Sequence, residues 1–389
     1  MTRSSLGEHV TLAELEGDPH ELIARLRAAE PVSWLPVLDG WLVTRRAQAL
    51  EVMRDAATFT VDDPRFSTAQ VVGPSMLSLD GAEHARHREP FARAFRPAEV
   101  RARFTELIEE EGDRLITALG PGTAELRRDF AGPFAVAVIA RALGLRDVAP
   151  GTVLSWYDAI VGAVSSVTAG DGVTAGGAAA FQRLRSAVED SLGPPAGSPA
   201  MPSALAEAAG RLTTAEVVSN AAVLMFGGIE TVEGMIVNAV WHLLGHPDQL
   251  ALVLADPGLV ANAVEESMRL EPAAAVVDRY ATRDVRLGGA AIRRGDLVRV
   301  SLTGANRDPE LFSDPDRFDV RRENARLQLV FAHGPHYCLG VHLARLEARI
   351  AVGTLLRRLP GLRLDPAQPS APRGLVFRKP PALRVAWDG

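Results

Sequence analysis

A mainly α-helical protein with a minor β portion, folded as one large domain over residues 1–389, is the architecture this sequence predicts. Three observations carry that expectation. Apolar faces recur at helical spacing between Pro and Gly breaks from Ala82 to about Gly193. A long apolar segment from about Thr214 to His246 reads as a buried central helix. Only residues 31–44 and 284–302 alternate and turn in the manner of short strands.

Taken in order, residues 20–30 read as a helix and PVSWLPVLDGWLVT (31–44) as two strands about the turn at Asp39 and Gly40. The clearest helical faces that follow are AEHARHREPFARAF, AEVRARFTELIEEEGDRLITAL and FAVAVIARALGL. GPPAGSPAMP (193–202) reads as a flexible surface loop. Glu230, Glu233, Asn238 and the adjacent Gly227 and Gly228 interrupt the central segment, so a buried helix suits it better than a membrane span. DVRLGGAAIRRGDLVRVSL (284–302) reads as a small sheet, and LARLEARIAVGTLLRRL (343–359) as an amphipathic helix.

With 389 residues, 47% of them hydrophobic, the chain can bury a substantial core. A net charge of -6 and the lack of any Lys/Arg block argue against a nucleic-acid partner. The single cysteine excludes an intramolecular disulfide and fits a cytoplasmic protein. The polar N-terminus carries neither an apolar signal core nor an anchor, so no membrane is expected. Arginine supplies every basic side chain except Lys379, a bias that reads as composition.

That cysteine, Cys338, lies in FAHGPHYCLGVHLAR, where a Gly- and Pro-containing loop presents a thiol at a helix expected to begin near Leu339. Unpaired N–H groups and the positive end of a helix favour thiolate over thiol. Gly334 and Gly340 would let backbone pass close to a flat cofactor, Phe331 would shield the sulfur, and His336 would reach a carboxylate on the cofactor's rim. A zinc site built from His333, His336, Cys338 and His342 is the rival reading. It lacks a second ligand pair and leaves the motifs elsewhere unexplained.

The pattern Phe-x-x-Gly-x-His-x-Cys-x-Gly resembles the cysteine loop of the cytochrome P-450 family, departing from it at Ala332, where the family usually has Gly. The resemblance implies a single triangular-prism-like domain, haem b with an axial Cys338 thiolate, and dioxygen as co-substrate. It extends to four distant segments in family order. His84 and Arg88, four apart on one helical face, and Arg279 match residues that bind the haem propionates. Glu266 and Arg269 match a buried ion pair that Arg317 is expected to complete, with a structural role.

MFGGIETVEG matches the family's oxygen-activating segment, with Glu230 and Thr231 as the acid–alcohol pair that relays protons and Gly228 against the cofactor. Without the resemblance, the paired glycines would equally suit a helix–helix crossing. The expected substrate pocket draws on Met76, Leu77, Phe226, Gly227, Ala274, Ala275, Val276, Val277 and Phe377, with few charges beyond Arg378. It points to a medium-sized hydrophobic or aromatic small molecule, such as a secondary metabolite, that is hydroxylated, cyclised or coupled.

No flavin or iron–sulfur module fits in the chain, so electrons are expected from a separate ferredoxin and its reductase, docking on a monomer near Arg86, Arg93, His342, Arg345 and Arg349. The alternative is a non-catalytic haem-binding or sensor protein, against which the intact acid–alcohol pair argues.

Overall fold

The computed structural model describes residues 5–145, 148–169, 171–192 and 203–388; the loop expected at 193–202 lies outside the described residues. Two short helices, Leu12–Glu16 and His20–Ala29, precede β1 (Val32–Leu35) and β2 (Gly40–Val43), which pair antiparallel with Val32 opposite Val43. The Asp-Gly turn between them holds. Pro36–Leu38 winds into a 3-10 turn before it, and Asp39 takes the left-handed region at φ 45°, which aspartate tolerates better than most residues.

Two helices that were not expected, α1 (Arg46–Arg54) and α2 (Ser67–Val72), precede the periodic faces, which become helices as expected: α3 (Gly81–Ala92), α4 (Pro97–Ala118), α5 (Gly132–Leu143), α6 (Pro150–Ala169) and α7 (Ala175–Leu192). Their ends follow local chemistry. Pro97 opens α4 where its missing N–H costs nothing, and Gly144, at φ 84°, closes α5 by donating to the Ala140 and Arg141 carbonyls.

The central helix is α8 (Thr214–Gly245), started by a reciprocal capping box between Thr213 and Glu216. Among the described residues it alone is long and apolar enough to cross a membrane, yet 72% of that stretch is buried. It packs on α5, on α9 (Val260–Leu270) and on α10 (Val341–Arg358).

Residues 284–302 divide between two sheets. Val285–Leu287 and Ala290–Ile292 form a separate hairpin. Leu297–Ser301 instead joins a five-stranded sheet. With β3 as Phe59–Thr60, β4 as Val276–Ala281 and β5 as Leu297–Ser301, the strand order is β1-β2-β5-β4-β3, and β2 and β5 run parallel. The cysteine loop joins two cores: Phe331 and Cys338 pack with the helical core, Leu329 and Ala332 with the core beneath the sheet.

Behind that loop, Glu266 and Arg269 are fully buried and joined by two hydrogen bonds of 2.7 and 2.8 Å. The third arm is Arg322, whose Nε donates to Glu266 Oε1 at 2.8 Å; it is not Arg317. Arg317 is exposed and contributes only its carbonyl, which accepts from both Arg269 and Arg322. The turn that folds Arg322 back onto the Ser313 and Asp314 carbonyls decides between two arginines five residues apart.

Candidate active site

Two left-handed residues shape the cysteine loop, Ala332 at φ 57° and Gly334 at φ 74°. Gly334 has no substitute, since a Cβ there would lie 2.4 Å from the Met53 carbonyl oxygen. After a 3-10 turn at Gly334–His336, the Cys338 N–H donates back to the Phe331 carbonyl at 2.8 Å. Helix α10 therefore begins at Val341 with Gly340 as its cap, two residues later than expected, because residues 334–338 are committed to the loop. The Gly340 N–H still reaches the sulfur. Burial pushes the Cys338 thiol up, while that N–H and the charges of Arg88 and Arg345 pull it down. Arg345 also lies over the Phe331 ring, 4.7 Å from its centre.

Basic side chains with unsatisfied hydrogen-bonding capacity surround the loop. His84 is buried, its ring 4.3 Å from that of His336, and its Nε2 has no hydrogen-bond partner. Burial, then His336 and Arg88, lower its pKa to about 4. Arg88 donates to the Tyr337 carbonyl. Arg279 is buried, donates to the Asp278 carbonyl at 2.7 Å, and has no carboxylate partner among the described residues. His336 does not join them as a free donor: its Nε2 pairs with Asp80 Oδ1 at 2.7 Å. Burial raises the Asp80 carboxyl, but hydrogen bonds from His336, Thr60 and the Val61 N–H hold it at about 2. The expected carboxylate contact of His336 thus goes to the protein's own aspartate.

A thiol beside two arginines with no carboxylate partner among the described residues and a buried histidine with an unpaired Nε2 fits an iron porphyrin with two carboxylates. One sulfur would hold the metal, and His84, Arg88 and Arg279 would hold the propionates. Small residues leave the backbone open on both elements: a Cβ on Gly340 of the loop or on Gly227 of α8 would meet nothing within 4 Å. Among the described residues no group of three His, Cys, Asp or Glu could hold a metal ion, so the zinc cluster does not assemble.

The paired glycines of α8 have separate tasks. Gly227 faces open space, and its carbonyl accepts the Thr231 hydroxyl at 2.6 Å. Gly228, expected against the cofactor, instead faces α5; a Cβ would lie 2.7 Å from Ile139 Cγ1. Glu230 is buried and ion-paired with Lys379, 2.7 Å away. Lys379 stood out in the sequence only as the sole lysine, and its role there was missed.

Phe226 and Phe377 meet edge to face with centres 5.3 Å apart, and Tyr157 of α6 adds a third ring 6.3 Å from Phe226. The buried Tyr157 hydroxyl has no hydrogen-bond partner. Ala274 bridges Phe377, and Ala274, Val277 and Leu77 are half-buried. Asn220 of α8 accepts the Met76 N–H at 2.8 Å, tying the loop before α3 to the central helix. Three expected pocket residues lie elsewhere. Ala275 and Val276 are buried, lining a separate small cavity with Leu15, Pro19, Ile23 and Leu42, because strand alternation turns Val276 away from the face of Val277 and Arg279. Arg378 turns to Glu271, its Nε 3.0 Å from Oε2.

Residues 254–383 match the family described as Cytochrome P-450. Over 394 residues the chain is 35% identical to the cytochrome P-450 monooxygenase PikC of Streptomyces venezuelae, covering 95% of this chain and 90% of that protein. The crystal structure of CalO2 superposes with a TM-score of 0.87 at 32% identity, covering 96% of this chain and 98% of that one. CxnD, a cytochrome P-450 enzyme for C–S bond formation in chuangxinmycin biosynthesis, gives 0.83 at 32% identity, with 96% and 95% covered.

Proposed function

Since this chain belongs to the cytochrome P-450 family and is a haem-thiolate monooxygenase, we propose that it oxidises a medium-sized hydrophobic or aromatic secondary metabolite, by hydroxylation or by oxidative ring closure or coupling. The observation that carries this reading is the apolar, aromatic wall of Phe226, Phe377 and Tyr157 beside the open face of Gly227.

When bound, haem supplies the reductive activation of dioxygen and transfer of one oxygen atom to the substrate. The chain's own residues do the rest. Cys338 Sγ would hold the iron, its negative charge supported by the Gly340 N–H, Arg88 and Arg345. Arg88 and Arg279 would neutralise the two propionates, and His84 Nε2 would hydrogen-bond to one of them. Thr231 donates its proton to the Gly227 carbonyl, which leaves its oxygen lone pairs free to accept from Glu230 or from water. The aromatic wall excludes bulk water and orients the substrate.

Electrons come, on this reading, from a separate ferredoxin that meets a monomeric, cytoplasmic enzyme on the cysteine side. Supporting it is a groove of about 170 Å³ lined by Arg101, Arg326, His342, Arg345 and Arg349 between α4, α9 and α10. Of the arginines expected there, Arg86 is already tied to Glu83 and Glu216, and Arg345 to Glu265. Arg349 has no acidic partner among the described residues, and Arg101 and Arg326 were not foreseen.

Two experiments test the reading. The carbon monoxide complex of the reduced protein should show a strongly red-shifted Soret band that Cys338→Ser abolishes; an unshifted band would remove thiolate ligation. Incubation of the reconstituted system with a panel of aromatic and macrocyclic metabolites should give products 16 mass units heavier or 2 lighter, about one oxygen gained or two hydrogens lost. Oxidation confined to small polar compounds would overturn the substrate class.

A further inference from the structure

Two adjacent residues of the central helix clamp the segment that follows α2. Ser219 donates its hydroxyl to the Val72 carbonyl at 2.6 Å, and Asn220 Oδ1 accepts the Met76 N–H at 2.8 Å. Between these points Gly73 takes the left-handed region at φ 84°, and a Cβ there would lie 3.0 Å from the Ser219 hydroxyl. The turn beyond is knit by its own bonds: the Ser78 N–H donates to the Ser75 carbonyl at 3.0 Å, and the Ser75 N–H to the Ser78 hydroxyl at 3.1 Å. A turn tied to itself is placed by its outside contacts, here the two hydrogen bonds to α8.

Asn220 is fully buried, and both ends of its amide are committed. While Oδ1 serves Met76, Nδ2 donates to the Glu216 carbonyl at 2.8 Å and faces His87 Nδ1 of α3 at 3.0 Å. Turning the amide over would set its NH2 against the Met76 N–H and its oxygen against the Glu216 carbonyl, leaving buried groups unpaired. That orientation in turn selects the histidine tautomer. His87 Nδ1 must accept, so the neutral ring carries its proton on Nε2, 3.4 Å from Glu216 Oε1. A doubly protonated ring would aim a second N–H at the asparagine donor, and the buried pair would lose its bond.

His87 is itself buried. Burial first, then Arg86, hold its pKa below the ordinary 6.5, while Glu216 and Glu83 oppose them. Glu83, His84 and Arg86 share its helix, with Arg86 Nη2 3.1 Å from Nε2; Glu216 faces it from α8, and Glu207 stands on the short helix Ala204–Ala208 that packs against α3. Because the folded value lies below the ordinary one, the neutral ring prevails at neutral pH, and it is lost as pH falls through the folded value.

We propose that His87 and Asn220 are positioning residues for the substrate wall at Met76 and Leu77: the neutral imidazole holds the asparagine amide, the amide holds the Met76 N–H, and a proton taken from solvent by Nδ1 releases the segment and opens the pocket to ligand. The proposal rests on the reading of Met76 and Leu77 as pocket residues.

Amide hydrogen exchange of residues 72–78 in the haem-loaded protein reads the latch directly. Corrected for the intrinsic rate at each pH, protection of this segment should fall several-fold between about pH 7.5 and about pH 5. His87→Leu offers no acceptor and should lack that protection at both ends of the range. His87→Asn sets a carbonyl oxygen that does not titrate where Nδ1 stands, and should keep the protection at both. The second readout is stopped-flow association of phenyl isocyanide, an uncharged haem ligand, with the ferric protein. Its rate should rise about twofold or more in acid for the wild type and stay level for His87→Asn. Wild-type protection indifferent to pH, or equal to that of a folded His87→Leu, overturns the proposal. If Asn220→Leu changes the isocyanide rate while acid leaves the wild-type rate unchanged, the histidine proposal fails and the pocket reading stands. If protection responds as expected but no variant changes the isocyanide rate, Met76 and Leu77 do not wall the pocket, and that reading falls together with the proposal.

Discussion

Gly228 of α8 lies so close to Ile139 of α5 that a single added carbon would come within 2.7 Å of the isoleucine Cγ1. Its neighbour Gly227 has nothing within 4 Å of the same position. Alanine should therefore separate the pair. Gly227→Ala gains about 1 kcal/mol of helix stability and narrows the pocket. Gly228→Ala gains the same propensity but forces the crossing apart, for a net loss of about 1–2 kcal/mol. Urea unfolding of the two variants checks the order; equal stabilities would contradict the crossing geometry.

Ala332 is held at φ 57°, where its Cβ crowds the following carbonyl. Ala332→Gly should stabilise the protein by about 1 kcal/mol, because relief of that strain exceeds the extra backbone entropy of glycine. Chemical denaturation measures it, and haem occupancy should not fall.

The buried network predicts unequal arginines. Arg322→Ala leaves Glu266 Oε1 with less compensation, frees the Ser313 and Asp314 carbonyls and leaves Arg317's with Arg269 alone, at a cost of about 3 kcal/mol. Arg317→Ala removes an exposed side chain and should change stability by less than about 0.5 kcal/mol. A large loss at Arg317 would reverse the assignment.

His84 makes the haem-free protein sensitive to acid. Its folded pKa, about 4, lies below its ordinary 6.5, so between those values the unfolded chain binds more protons and stability falls as pH falls. His84→Gln should flatten the haem-free stability profile between pH 6.5 and 4. Bound haem should flatten it too, since a propionate on Nε2 favours the charged ring. An unchanged profile in the variant would exclude the histidine as the source.

Reading the chain alone located the cysteine loop, the helix that carries Thr231, and the basic residues His84, Arg88 and Arg279. These features are local: glycines at a sharp bend, i,i+4 spacing on a helix, and a hydroxyl beside paired glycines each have a short-range chemical reason. It misplaced Arg317 for Arg322 and counted Ala275, Val276 and Arg378 toward the pocket. Each error concerns which side of a turn or strand a residue faces, and one residue of register reverses that.

Helix periodicity, the thiol's presentation and the supply of cations were thus legible from residue order, because backbone sterics and side-chain spacing act within a few positions. Partner choice was left to the tertiary structure. Asp80 captured His336, Ile139 claimed one glycine and left the other open, and Lys379 reached Glu230 from 149 positions away in the chain. Burial decides such pairings. A charge removed from water must take whichever counter-charge the packed helices bring within reach, and nothing in the local sequence names it.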